Sequence, residues 1–214
     1  MIRPKISIID YGMGNLQSVR NALTQIGYQS EISSHPDSFL QSDALILPGV
    51  GAFGEAMGNL KKLQIIEPLR NAVINNQKPI LGICLGMQLL AESSEEQGEH
   101  QGLSLIPGVV RKIPTLPSTR LPHIGWNELS ILKKFPLFND IQEGSAFYFV
   151  HSYQFLCDSQ YISATTEYEG TITAAVQSGN IFGTQFHPER SQSKGLHLLR
   201  NFVEYIILTS KKEL

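Results

Sequence analysis

The chain has 214 residues, 42% of them hydrophobic, with 17 Lys and Arg against 19 Asp and Glu, enough for one compact domain that folds without disulfides or a structural metal. The near-balanced charge offers no polybasic surface, which argues against nucleic acid or a membrane surface as a partner. The two cysteines, Cys84 and Cys157, in a chain whose first apolar run is too short for a signal segment or a membrane span, read as free thiols of a cytoplasmic protein.

KISIID (5–10) reads as a strand, and Leu16, Val19, Leu23 and Ile26 recur at helical spacing up to Gly27. SEIS (30–33) and DALILPG (43–49) follow as strands, then one helical region through MGNLKKLQIIEPLRNAVINN (57–76), then PILGI (79–83) leading into a helix near Cys84. Such alternation predicts a single-domain α/β protein over 1–214, a three-layer αβα sandwich on a mostly parallel sheet. From Gly98 to Tyr153 the prolines at 107, 114, 117, 122 and 136 punctuate short pieces such as VVRKI and FYFVHSY, predicting loops and a mixed or antiparallel extension. TITAAVQSG and NIFGTQF (171–186) read as two strands joined near 178–180. A last helix from about Ser193 carries Leu196, Leu199, Val203 and Ile206 on one face.

Gly82-Ile83-Cys84-Leu85-Gly86 has the G-x-C-x-G form of a strand-to-helix elbow, in which small neighbours allow a sharp turn that lifts the central side chain out of the sheet. A helix beginning there places its first amides near sulfur and favours thiolate. Taken alone, the pentapeptide fits equally an inert core thiol with glycines that let a helix pack on a sheet. About a hundred residues on, FHPER (186–190) supplies an imidazole and a carboxylate. Pro188 biases His187 toward extended backbone, so His187 and Glu189, two apart, project together. An imidazole beside Cys84 can share its proton, and a carboxylate behind the ring fixes the tautomer. Singly, His187 is also a loop histidine and Glu189 a solvated charge; with the elbow they form a Cys84-His187-Glu189 triad. LPGVGAFGEA (47–56) offers a peptide N–H near Gly49 and Val50, and the elbow offers that of Leu85, as donors to an oxyanion. A plain glycine loop is the rival, and a P-loop is excluded because no Lys-Ser/Thr follows.

GICLGMQLL with HPER closely resembles the class I, triad-type glutamine amidotransferases. The further stretches DYGMGNLQSV (10–19), LPGVGAFGEAM (47–57), PHIGWN (122–127), FYFVHSY (147–153) and FHPERSQ (186–192) look like the glutaminase-subunit branch that serves imidazole glycerol phosphate synthesis. That resemblance spans the chain. It implies hydrolysis of L-glutamine through a glutamyl thioester with no cofactor, and no CxxC or His-rich spacing suggests a metal. It implies release of ammonia to a separate (β/α)8-barrel cyclase subunit in a histidine-pathway heterodimer. It implies Gln88, Gly51, His151, Ser152 and Tyr153 as substrate contacts, and Asn15, Trp126, Tyr148 and Arg190 as the partner face. Strand-end capping for residues 151–153 and core packing for Trp126 stay open. The family usually carries Lys where this chain has Arg190, Met for Ile124 and Gly for Ser104. A paralogue feeding a surface-sugar amidine-forming enzyme would share these motifs, and from other classes a cysteine α/β-hydrolase, a redox-sensing thiol and a non-catalytic interaction subunit remain as rivals. The hydrolase is disfavoured by chain order, because Glu189 follows His187 directly.

Overall fold

The computed structural model describes residues 4–114 and 120–210. In chain order its first half comprises β1 (Ile6–Ile9), α1 (Leu16–Gln25), β2 (Ser30–Ser33), α2 (Pro36–Gln41), β3 (Ala44–Gly49), α3 (Phe53–Lys62), α4 (Ile66–Arg70), β4 (Ile80–Cys84) and α5 (Leu85–Leu89). The second half comprises β5 (Ser93–Ser94), β6 (His100–Gln101), β7 (Val109–Lys112), β8 (His123–Glu128), β9 (Ser130–Ile131), β10 (Ala146–His151), β11 (Tyr153–Leu156), β12 (Ile162–Glu167), β13 (Thr171–Ser178), β14 (Ile181–Thr184) and α6 (Gln192–Ser210).

The main sheet runs β2-β1-β3-β4-β14-β13-β12-β9. Its first five strands are mutually parallel and the last three pair antiparallel. β1, β3 and β4 are buried along their whole length, which is why each reads as an unbroken apolar run rather than an alternation. Successive residues still face opposite layers. Ile46, Leu81 and Ile83 join α1 and α6 in one core, while Leu45, Leu47 and Ile80 join α3 and α4 in the other. The αβα sandwich with an antiparallel extension is therefore as the sequence predicts. Two smaller sheets, β10-β8 and β11-β7-β5-β6, complete the extension.

Four details differ from the sequence reading. The helix expected over 57–76 begins at Phe53 and breaks after Lys62, because Gln64 adopts φ +57° and the chain closes as a paired C-terminal cap, Gln64 N–H donating to Lys61 O and Ile65 N–H to Leu60 O. Helix α2 was not anticipated; its N-cap residue His35 makes no side-chain cap hydrogen bond, and Pro36 and Asp37 in its first turn are its local signals. The helix after Cys84 is only five residues long. The run FYFVHSY is two strands: β10 pairs with β8, and after Ser152 the chain changes sheets so that β11 pairs with β7. Pro117, one of the expected loop markers, lies outside the described residues.

β1 pairs with β2 on one side and β3 on the other, so the crossovers diverge there. In open parallel sheets the crevice beyond the carboxyl ends next to such a reversal is the usual binding place. The ends of β3, β4 and β14 lie side by side at that edge.

Candidate active site

Cys84 closes β4 with φ +55° and ψ −111°. That backbone is costly for a residue with a Cβ, on the order of 1–3 kcal/mol, and the surrounding packing holds it. The flanking glycines are required by contact rather than by their own torsions. A Cβ on Gly82 would lie 2.6 Å from Gly86 O, and one on Gly86 would run into the Leu47 carbonyl of β3. The elbow is thus pressed against its neighbouring strand, and Gly49 sits directly opposite Cys84 in the β3–β4 register. Gly49 itself is hemmed in by the Tyr11 hydroxyl and by Leu85 Cβ. After it the chain turns outward, with Val50 45% exposed and Gly51 at φ +101°. The peptide that sequence reasoning offers as an oxyanion donor therefore stands at the mouth, beside Cys84. Among the described residues no side chain caps α5.

His187 follows β14 on a β-region backbone, and Pro188–Arg190 then forms a single 3-10 turn. His187 Nδ1 is 2.8 Å from Glu189 Oε1. The two side chains meet as expected but by a different route, the turn after Pro188 bringing the carboxylate back under the ring. Both are buried, with side-chain exposures of 5% and 2%. Burial opposes charge on the imidazole, yet the Cys84 sulfur and the Glu189 carboxylate outweigh it and raise the His187 pKa to about 10. His187 Nε2 has no hydrogen-bond partner among the described residues. The thiol instead lies 3.8 Å from the Val150 carbonyl oxygen as donor and 3.8 Å from Gln185 Nε2 as acceptor. Loosely aligned contacts of this kind are common at catalytic centres without substrate.

These groups border a cavity of about 320 Å³ lined by Val50, Gly51, Cys84, Leu85, Gln88, His151, Ser152, Tyr153 and His187. The structure thus brings together all the expected substrate contacts; Gly49 and Glu189 lie behind the lining. Two further residues escaped sequence reading. Gln185, fully buried, accepts from Gln88 Nε2 at 2.9 Å and offers its own amide to Cys84. Its signal was there to find, because Gln185 and His187 are two apart at a strand end and share a side. Glu96, in the turn after β5, also lines the cavity and accepts from Phe53 N–H at 2.8 Å; nothing in its local sequence marks it.

A model of the family "Glutamine amidotransferase class-I" matches residues 7–206. The chain belongs to the class-I glutamine amidotransferase family. Among curated class-I relatives, imidazole glycerol phosphate synthase subunit HisH 1 of Campylobacter jejuni (strain RM1221) is 48% identical, covering 92% of this chain and 98% of that protein. Subunit HisH 2 of Vibrio vulnificus (strain YJ016) is 48% identical over 94% and 95%, and subunit HisH of Sulfurimonas denitrificans 50% identical over 94% and 98%. Among solved structures, a putative GMP synthase component from Thermoplasma acidophilum superposes with a TM-score of 0.77 at 18% identity, covering 100% of this chain and 98% of that one. PurLQS from Thermotoga maritima gives 0.74 at 18%, over 96% and 100%. At such identities the structures speak for the amidotransferase fold alone.

Beside the cavity, Tyr148 and Trp126 stand opposite each other on β10 and β8, rings 6.1 Å apart edge to face. The Arg190 guanidinium lies 4.4 Å above the Tyr148 ring. Trp126 is 49% and Ile124 59% exposed, so core packing does not account for the tryptophan. Asn15 is exposed and caps α1, its side chain accepting from Ser18 N–H. Ser104, where the family usually has Gly, takes φ +49°, which explains the glycine preference there.

Proposed function

We propose that this chain is the glutaminase subunit of an imidazole glycerol phosphate synthase, hydrolysing L-glutamine to glutamate and passing the ammonia to a (β/α)8-barrel cyclase subunit in the cytoplasm. The observation that carries the reading is the convergence of Cys84, His187 and Gln88 on one cavity, with Glu189 behind the imidazole, in a chain 48–50% identical to HisH subunits over almost its full length.

In this reading Cys84 Sγ attacks the side-chain amide carbon of glutamine as the thiolate, beside the His187 imidazolium. The oxyanion forms against Leu85 N–H and a peptide N–H at Val50, each well-placed donor worth about 3 kcal/mol. His187 protonates the departing nitrogen, ammonia leaves, and Cys84 holds the γ-glutamyl group as a thioester. Water then attacks with His187 as base, releasing glutamate and returning the thiolate beside the imidazolium. Glu189 orients the ring and stabilises the imidazolium. Gln88, Gly51 and residues His151–Tyr153 hold the substrate, and the Glu96 carboxylate offers a counter-charge to its α-amino group. Ammonia released into neutral water is largely protonated, so transfer calls for a covered interface. The Trp126–Tyr148–Arg190 face and Asn15 supply it in this reading, a central exposed aromatic being a common interface anchor.

Glutamine hydrolysis measured with and without a histidine-pathway cyclase tests the proposal. Turnover that rises with the cyclase and disappears in Cys84→Ala, while ammonia-driven cyclase activity persists, supports it. Glutamine-dependent product formation by Cys84→Ala would refute the nucleophile.

A further inference from the structure

His123 and His151 are both buried, at 3% and 6% exposure, and only His151 reaches the cavity. Their contacts fix every proton. Asn127 Oδ1 accepts from Glu128 N–H at 2.9 Å and its Nδ2 donates to Glu167 O at 2.8 Å, so the amide has one orientation. Nδ2 therefore also donates to His123 Nε2, 3.3 Å away. His123 must then carry its proton on Nδ1, which lies 3.0 Å from His151 Nε2. His151 in turn carries its proton on Nδ1, 2.8 Å from the Tyr153 carbonyl oxygen. That carbonyl also accepts from Gln88 Nε2 at 3.1 Å, and the same nitrogen donates to Gln185, whose amide reaches Cys84. His123 is clamped between Tyr168 and Phe149, stacked at 3.9 and 4.9 Å. Burial lowers both histidine pKa values to about 4, His151 being lowered further by His123 and His187 against the Tyr153 contact that raises it, so both rings are neutral at physiological pH.

We propose that His123 is a positioning residue for the glutaminase reaction: a one-way hydrogen-bond relay from Asn127 through His123 sets the tautomer of His151 and, through the Tyr153 carbonyl, fixes the wall of the glutamine cavity. The role in catalysis rests on the glutaminase reading; the relay itself does not. The relay crosses the point where the chain leaves β10 for β11, where the Ser152 carbonyl also accepts from Ile113 N–H. It begins at Asn127, next to the half-exposed Trp126 on β8.

Two measurements on the full chain test this. With 15N-labelled histidine, NMR of the wild type should show His151 with a protonated Nδ1 and a bare, hydrogen-bonded Nε2; the opposite tautomer overturns the relay. His123→Phe keeps the stacked ring and removes the donor, whereas His123→Asn places an amide nitrogen near the Nδ1 position. Alkylation of Cys84 by a diazo-ketone analogue of glutamine should need a roughly tenfold higher half-saturating concentration in His123→Phe, the scale of one lost buried hydrogen bond, with its limiting rate within about twofold. His123→Asn should recover most of that affinity, and iodoacetamide, which needs no glutamine site, should label all three proteins alike. Unchanged half-saturation in His123→Phe, or equal losses toward analogue and iodoacetamide, overturns the positioning role. A wild type that the analogue does not saturate refutes the glutaminase reading instead, while the tautomer result stands apart from it.

Discussion

Replacing Glu189 by Gln removes a charge while leaving an oxygen that can still accept from His187 Nδ1. In the native protein that nitrogen faces Glu189 Oε1 at 2.8 Å, and the His187 pKa is raised from 6.5 to about 10 against burial, with Cys84 and Glu189 as the two supports. An opposite charge at such range accounts for about 1–3 units, each about 1.4 kcal/mol. Because the folded-state pKa is raised, the stabilisation is fully present below about pH 6.5 and is lost as pH climbs through about 10. Glu189→Gln should therefore lower the His187 midpoint by about 1–3 units in an NMR titration. It should also cost on the order of 2 kcal/mol in denaturant unfolding at pH 6, with the difference from the wild type closing by about pH 10. Glutamine turnover with the partner subunit should fall by roughly 10²–10⁴. A midpoint within about half a unit of the wild type would refute the reasoning, since it would assign the raised pKa to Cys84 alone.

Cys84→Gly should be more stable than Cys84→Ala by about 1 kcal/mol, because both lack sulfur but only glycine relaxes at φ +55°; equal unfolding midpoints would show the elbow to be unstrained. Gly86→Ala should lose several kcal/mol or fail to fold, as its methyl meets the Leu47 carbonyl, read by thermal unfolding. Gln185→Leu removes one of the two acceptors of Gln88 Nε2 and the amide beside Cys84; a rise of about tenfold in the KM for glutamine is expected, and an unaltered KM would assign that amide no part in binding. On the acid side, buried neutral His123 and His151 have lowered pKa values, so stability should fall as pH drops from about 6.5 to 4. The slope of stability against pH should flatten in His123→Phe.

The parts of this molecule legible in sequence are those fixed by short-range rules. An apolar strand between glycines announces the elbow around Cys84, and Pro188 restricts the backbone of His187. Gln88 comes from the family resemblance, with which its place one turn beyond Cys84 agrees. What escaped depends on distant pairing. FYFVHSYQF alternates without interruption, so the change of sheet at Ser152 becomes visible only once β8 and β7 claim its two halves. Gln64 ends α3 in a left-handed conformation that glycine usually marks. Glu96 reaches the cavity because the β5–β6 turn carries it there, and its own neighbours, Glu95 and Gln97, suggest only a solvated turn. The His123–His151 pair could not be foreseen from spacings of 28 residues on two different strands.

Arg190, whose guanidinium rests on the half-buried Tyr148 ring, is the residue immediately after Glu189 and shares its single 3-10 turn. The same turn is laced to β10, His187 N–H donating to the Tyr148 carbonyl and Tyr148 N–H to Ser191 Oγ. A compound wedged between the guanidinium and the ring would thus pull on the carboxylate behind His187 without entering the glutamine cavity. An inhibitor directed there would not compete with glutamine, and millimolar substrate would offer no protection against it.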